Sequence, residues 1–115
     1  KILKIHDLPM SCTCVRVPVF IGHSESCLVE TREEADVDEV RILLEGAPSV
    51  KVLDEPSESV YPLPVDAQDT EEVYVGRIRR DLSSDHGILM WVVADNLLRG
   101  AATNACNILR CLIEE

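Results

Sequence analysis

Hydrophobic and polar positions along this chain follow the strand period in some stretches and the helix period in others. From Ser11 to Phe20 (SCTCVRVPVF), β-branched residues recur at every second position, the period of a strand. Pro18 has no N–H for a ladder, so this strand is expected to end there or to lie at an edge. Ile21–Ser24 reads as a turn in which Gly22 can take a positive φ, and Ser26–Thr31 reads as a second strand. The period then changes. Between Asp36 and Glu45, Val37, Val40, Leu43 and Leu44 form one helical face. Asp36 is placed to cap that helix with Glu39 three residues on, and Gly46 and Pro48 stop it.

Val50–Leu53 predicts a short strand, and the Pro-, Ser- and acid-rich stretch Asp54–Asp69 a loop. Val73–Arg80 (VYVGRIRR) alternates Val73, Val75, Arg77 and Arg79 against Tyr74, Gly76, Ile78 and Arg80. Its glycine marks a bulge or a close backbone approach. After a turn at Asp81–Gly87, the run Ile88–Ala94 is almost wholly apolar, as in a strand covered on both faces. From Leu97 a helical pattern runs to the C-terminus through Leu98, Ala101, Ala105, Ile108, Leu109 and Leu112. Segregated strands and helices predict an α+β fold, a mixed or largely antiparallel sheet with helices on one face.

Composition narrows the function classes. The chain has 115 residues, the size of a single small domain, and a formal net charge of −10. So acidic a chain, without a basic stripe, is a poor partner for nucleic acid or an anionic membrane surface. No apolar run approaches the ~20 residues of a spanning helix. Lys1–Met10 lacks the apolar stretch of a signal peptide, and the chain opens in mid-pattern on Lys1-Ile2-Leu3, as a processed or truncated product does. The cysteines number five, with no Cys-x-x-Cys, and none of the three histidines pairs with them at a zinc-site spacing. No metal is expected, and free thiols in a reducing cytosol are.

Several residues are candidates for chemistry, each with a plainer reading beside it. His23 follows Gly22 just past the first strand; it is either a surface histidine or an acid–base group. Arg16 stands within an apolar strand; it either points to solvent or offers its fork to a carboxylate or phosphate. Arg77, Arg79 and Arg80 form a basic cluster, expected in so acidic a chain to pair with internal carboxylates rather than a ligand. Met90 and Trp91 read as core. Asn96 closes the apolar strand, either as a cap or as a partner for a ligand amide. No Gly-x-Gly-x-x-Gly, Walker loop or Gly-x-Ser-x-Gly occurs.

The string CVRVPVFIGHSES (Cys14–Ser26), with VGRIRRDLS (Val75–Ser83) and WVVADNLLRGAATNA (Trp91–Ala105), closely resembles the aspartate-semialdehyde dehydrogenase family, in that family's order and approximate spacing. YPLPVDA (Tyr61–Ala67) resembles it too, so the likeness spans nearly the whole chain. The resemblance implies an enzyme that reduces 4-phospho-L-aspartate to L-aspartate 4-semialdehyde with NADPH, releasing phosphate, in lysine, threonine and methionine biosynthesis. It implies a cytoplasmic homodimer whose subunit joins a Rossmann domain to a C-terminal α+β domain like that of glyceraldehyde-3-phosphate dehydrogenase. On that resemblance His23 matches the acid–base histidine and Arg16 the arginine that clamps the substrate carboxylate. Asn96 and Gly100 match positions near the nicotinamide end of NADP.

The chain departs from the family in lacking its nucleotide-binding glycine loop and the Asn-Cys-x-Thr-like string of its nucleophile. Cys12, Cys14, Cys27, Cys106 and Cys111 all stand in other contexts, so the nucleophile is carried to none of them. Residues 1–115 are therefore expected to be the C-terminal portion of the substrate-binding and dimerisation domain, inactive alone. The alternatives are a non-catalytic homologue and a stand-alone dimerising module.

Overall fold

The computed structural model describes residues 4–113. Strands β1 (His23–Glu30), β2 (Val50–Val52), β3 (Val73–Arg80) and β4 (Gly87–Ala94) form one sheet in the order β1-β4-β3-β2. β4 is antiparallel to β1 and β3, whereas β2 is parallel to β3. The helices are α1 (Val37–Glu45), the single-turn α2 (Pro64–Ala67) and α3 (Thr103–Ile113). The class is the expected α+β with a mixed sheet.

Asp36 caps α1 as its spacing predicts: one carboxylate oxygen accepts from the N–H groups of Asp38 (2.9 Å) and Glu39 (3.1 Å). Its inward stripe of Val37, Val40 and Leu44 packs on a cluster formed by Val75, Ile78 and Ile88. On the opposite face, Ala67 of α2 and Leu53 cover Tyr74 and Val93. β4 is thus sandwiched, which accounts for its unbroken apolar run. Each fully buried side chain there contributes roughly 1.5–3 kcal/mol.

β3 carries a bulge. Gly76 pairs with Trp91 and Arg79 with Leu89, so two β3 residues, Arg77 and Ile78, face a single β4 residue, Met90. Arg77 there has φ +53°. The extra residue reverses the faces expected from simple alternation. Ile78 joins Val75 under α1, and Arg79 moves to the side of Gly76 and Trp91. Without the bulge, Arg77 and Arg79 would enter the core beside Val73 and Val75. Asp54 fixes it: its carboxylate accepts from the N–H of Arg77 (2.7 Å) and of Ile78 (3.1 Å) and pairs with Arg41 at 2.7 Å. Gly76 also meets the close approach expected of it. A β-carbon at this position would collide with the Leu53 carbonyl oxygen and lie 2.5 Å from Pro62 Cδ.

Other expectations fail. Ser11–Phe20 is not a strand; it is irregular, with the Val19 N–H donating to Val17 O at 2.9 Å, and exposed along its length. Alternation permits a strand but does not supply a partner: the outer edge of β1 is open, yet no ladder joins Ser11–Phe20 to it, and the segment buries no side chain that would hold it there. The strand that does form starts at His23, so the expected Ile21–Ser24 turn is shorter. Nor does the last helix begin at Leu97. The chain leaves β4 in one helical turn, with Arg99 N–H donating to Asp95 O at 2.8 Å. Non-helical angles at Arg99 (φ −70°, ψ 133°), Gly100 (φ 71°, ψ −2°) and Ala101 (φ −126°, ψ −107°) then break it, and α3 starts at Thr103. The apolar period runs through this break because spacing does not register a backbone reversal. The last residues of the expected helix, and the opening Lys1-Ile2-Leu3, lie outside the described residues. Among the described residues no helix is long and apolar enough to cross a membrane.

Candidate functional site

Three segments converge where β1 begins and β4 ends. His23 pairs with Ala94 in the sheet register. Gly22, at φ +96°, lies so close that a β-carbon would stand 3.3 Å from Ala94 O and 3.6 Å from Pro64 Cβ at the start of α2. Its N–H donates to Asn96 Oδ1 at 3.0 Å, across 74 residues of sequence. That bond fixes the turn from which His23 emerges. It also commits the oxygen of the Asn96 amide, leaving its NH2 group without a partner among the described residues. Such a donor suits an amide carbonyl of a bound molecule.

Asp95 braces the same corner. It is buried, and its carboxylate accepts from Asp69 N–H (3.0 Å) and Leu97 N–H (2.8 Å). These bonds, the Asp69 one foremost, hold its carboxyl below the usual range. Asp95 and Asn96 thus tie consecutive positions to opposite sides, one to the chain after α2 and the other to the start of β1. Sequence reasoning missed Asp95, although it stands inside the string that pointed to Asn96. The available signal was an acidic residue directly after a fully apolar strand.

The predicted residues are only partly gathered. His23 and Asn96 come together through Gly22, and Gly100 lies in the reversed backbone just after Asn96. His23 is exposed. Arg16 is exposed in the irregular segment before Gly22, without an ion pair among the described residues, and so does not point inward from a strand. Arg99 Nε is buried without a hydrogen-bond partner beside Gly100. Among the described residues no group of three or more His, Cys, Asp or Glu is arranged to hold a metal. The cysteines are free, and burial, reinforced by Glu25, raises the half-buried Cys27 thiol above its ordinary value, the opposite of an activated nucleophile.

This corner is built from the strings that carry the family resemblance, and direct comparison agrees. A family model described as semialdehyde dehydrogenase, dimerisation domain, matches residues 1–99. The chain belongs to that family. It is 49% identical over 115 residues to an aspartate-semialdehyde dehydrogenase of Aquifex aeolicus, covering 100% of this chain and 34% of the relative. With the Bacillus subtilis enzyme of the same name the identity is 47% over 113 residues, 97% of this chain and 33% of the relative. A solved structure of Vibrio cholerae aspartate semialdehyde dehydrogenase II complexed with ASA superposes with a TM-score of 0.84 at 44% identity, over 90% of this chain and 30% of that one. The chain spans about a third of the length of the relatives it matches.

Proposed function

We propose that residues 1–115 are the C-terminal portion of the substrate-binding and dimerisation domain of an aspartate-semialdehyde dehydrogenase. The whole enzyme is a cytoplasmic homodimer that reduces 4-phospho-L-aspartate to L-aspartate 4-semialdehyde with release of phosphate, serving lysine, threonine and methionine biosynthesis. The observation that carries this reading is the Asn96–Gly22 hydrogen bond, which joins two of the family-like strings at His23.

In this reading His23 is the general acid–base group. Exposed at the start of β1, its imidazole moves a proton to and from the reacting centre, while the sulfur nucleophile comes from outside these residues. Arg16 binds the substrate carboxylate through its planar fork and orients the substrate. In this chain it stands on an exposed segment, so its placement depends on what packs against that segment. The cofactor NADP, when bound in its reduced form NADPH, would supply the hydride. Asn96 fits its nicotinamide end, since the free NH2 group donates to an amide carbonyl, and Gly100 adds no side chain beside it. The described residues offer no glycine-rich phosphate cradle, so the rest of the cofactor is held elsewhere. The isolated chain is inactive.

The test is a chimera joining this chain to the preceding two thirds of the Aquifex aeolicus relative. His23→Ala should lower kcat by ~10³-fold. Arg16→Lys should chiefly raise the KM for the semialdehyde, because an ammonium lacks the fork. A His23→Ala chimera with near-normal kcat contradicts the acid–base role.

A further inference from the structure

The bulge in β3 does more than spare the core. It places two arginines at the rim of a cavity of about 300 Å³, at the lower end of the range for small-molecule sites, whose lining includes Ser59, Tyr61, Arg77 and Arg79. The Arg77 guanidinium lies 5.6 Å from the centre of the Tyr61 ring, which supports its flat face. One terminal guanidinium nitrogen of Arg79 donates to the Arg77 carbonyl at 2.7 Å, which holds its head group against the same bulge and leaves the other N–H groups to face a ligand.

The charges here are not balanced by the surrounding acids. Of the basic cluster, Arg80 pairs with Glu34 at 2.5 Å, as expected, but Arg77 and Arg79 form no ion pair among the described residues. Asp54 also borders the cavity, yet its side chain is 1% exposed and its oxygens are taken by Arg41 and two backbone N–H groups. Asp81 lies within the field of Arg79, but its oxygens are held first by the Ser83 N–H (3.1 Å) and hydroxyl (2.8 Å). Two guanidiniums without an ion pair thus border one concavity in a chain of net charge −10. They sit on a backbone conformation, φ +53° at Arg77, held by two N–H donations to the buried Asp54 carboxylate, which is itself paired with Arg41.

The geometry points to a binding site for a small oxyanion, a carboxylate or phosphate group on a molecule of modest size, held by the forks of Arg77 and Arg79. The site lies at the β3 bulge and is separate from the His23–Asn96 corner, so it stands or falls independently of the function proposed above. Titration of the full chain with inorganic phosphate and with succinate, followed by amide NMR against sodium chloride at matched ionic strength, tests it. A saturable shift of the Ser59, Val60 and Ile78 amides by either anion supports the site, and the anion that produces it identifies the favoured group. Arg77→Gln and Arg79→Gln should each weaken that binding by ~10-fold or more. Arg77→Gln retains the backbone N–H bonded to Asp54 and so preserves the bulge; should it fail to fold, Arg79→Gln carries the test. Shifts equal to those in chloride, no saturable shift, or undiminished binding in the folded variants overturns the proposal.

Discussion

β1 and β4 are neighbours of equal length, eight residues each, paired without interruption along that length. None of β4 is exposed; of β1 only Cys27 is even half-buried. Both strands have their shared ladder of hydrogen bonds, so the ladder does not explain the difference. β4 has a strand on each side and a covering layer on each face, whereas β1 has one neighbour and little above or below it. Backbone pairing sets the register, but the stability of this fold resides in the layers around β3 and β4. The candidate site spans the divide, with Asn96 leaving the buried strand and His23 opening the exposed one.

Substitutions on the two sides should differ accordingly. The largest loss is expected at Asp54→Ala, which strands Arg41 and releases both N–H groups of the bulge; urea denaturation should show a destabilisation of about 4 kcal/mol. Gly76→Ala comes next, at about 3 kcal/mol, because the new methyl meets the Leu53 backbone and Pro62 rather than a yielding side chain. Removing the α1 cap by Asp36→Ala should cost about 1 kcal/mol in the same assay. On β1, Leu28→Thr should change stability by no more than about 0.5 kcal/mol, since Leu28 is 52% exposed. A Leu28 effect comparable to that of Gly76 would erase the contrast between the strands.

The elements legible in the sequence were those whose environment is encoded locally. α1 shows its apolar stripe, its Asp36 cap and its Gly46 stop within one short window. β4 shows burial on both faces as an unbroken apolar run, and Gly76 signalled both the bulge and the close approach. The illegible parts depend on distant partners. Ser11–Phe20 has the alternation of a strand but, among the described residues, no burial to hold it against the open edge of β1, and the face reversal at Ile78 depends on Asp54, which reads in sequence as one more acid in a loop. At the site, His23 and Asn96 stand out from their local setting and the family resemblance gives them roles, while the 74-residue contact that joins them through Gly22 leaves no periodic trace. For Arg16 the residues alone left solvent and a ligand both open, and its exposed position here matches the first, because what would gather it into a site lies beyond its own segment.

The central claim is that the buried half of the sheet holds His23 in place through Asn96 while, among the described residues, nothing comparable holds the Arg16 segment. Native-state hydrogen exchange of the amides tests it directly. The account predicts slow exchange through β3 and β4, protection of the Gly22 amide that is lost in Asn96→Ala, and fast exchange from Cys12 to Arg16. A Gly22 amide that exchanges as fast as those of Cys12–Arg16, or whose protection survives Asn96→Ala, would contradict it.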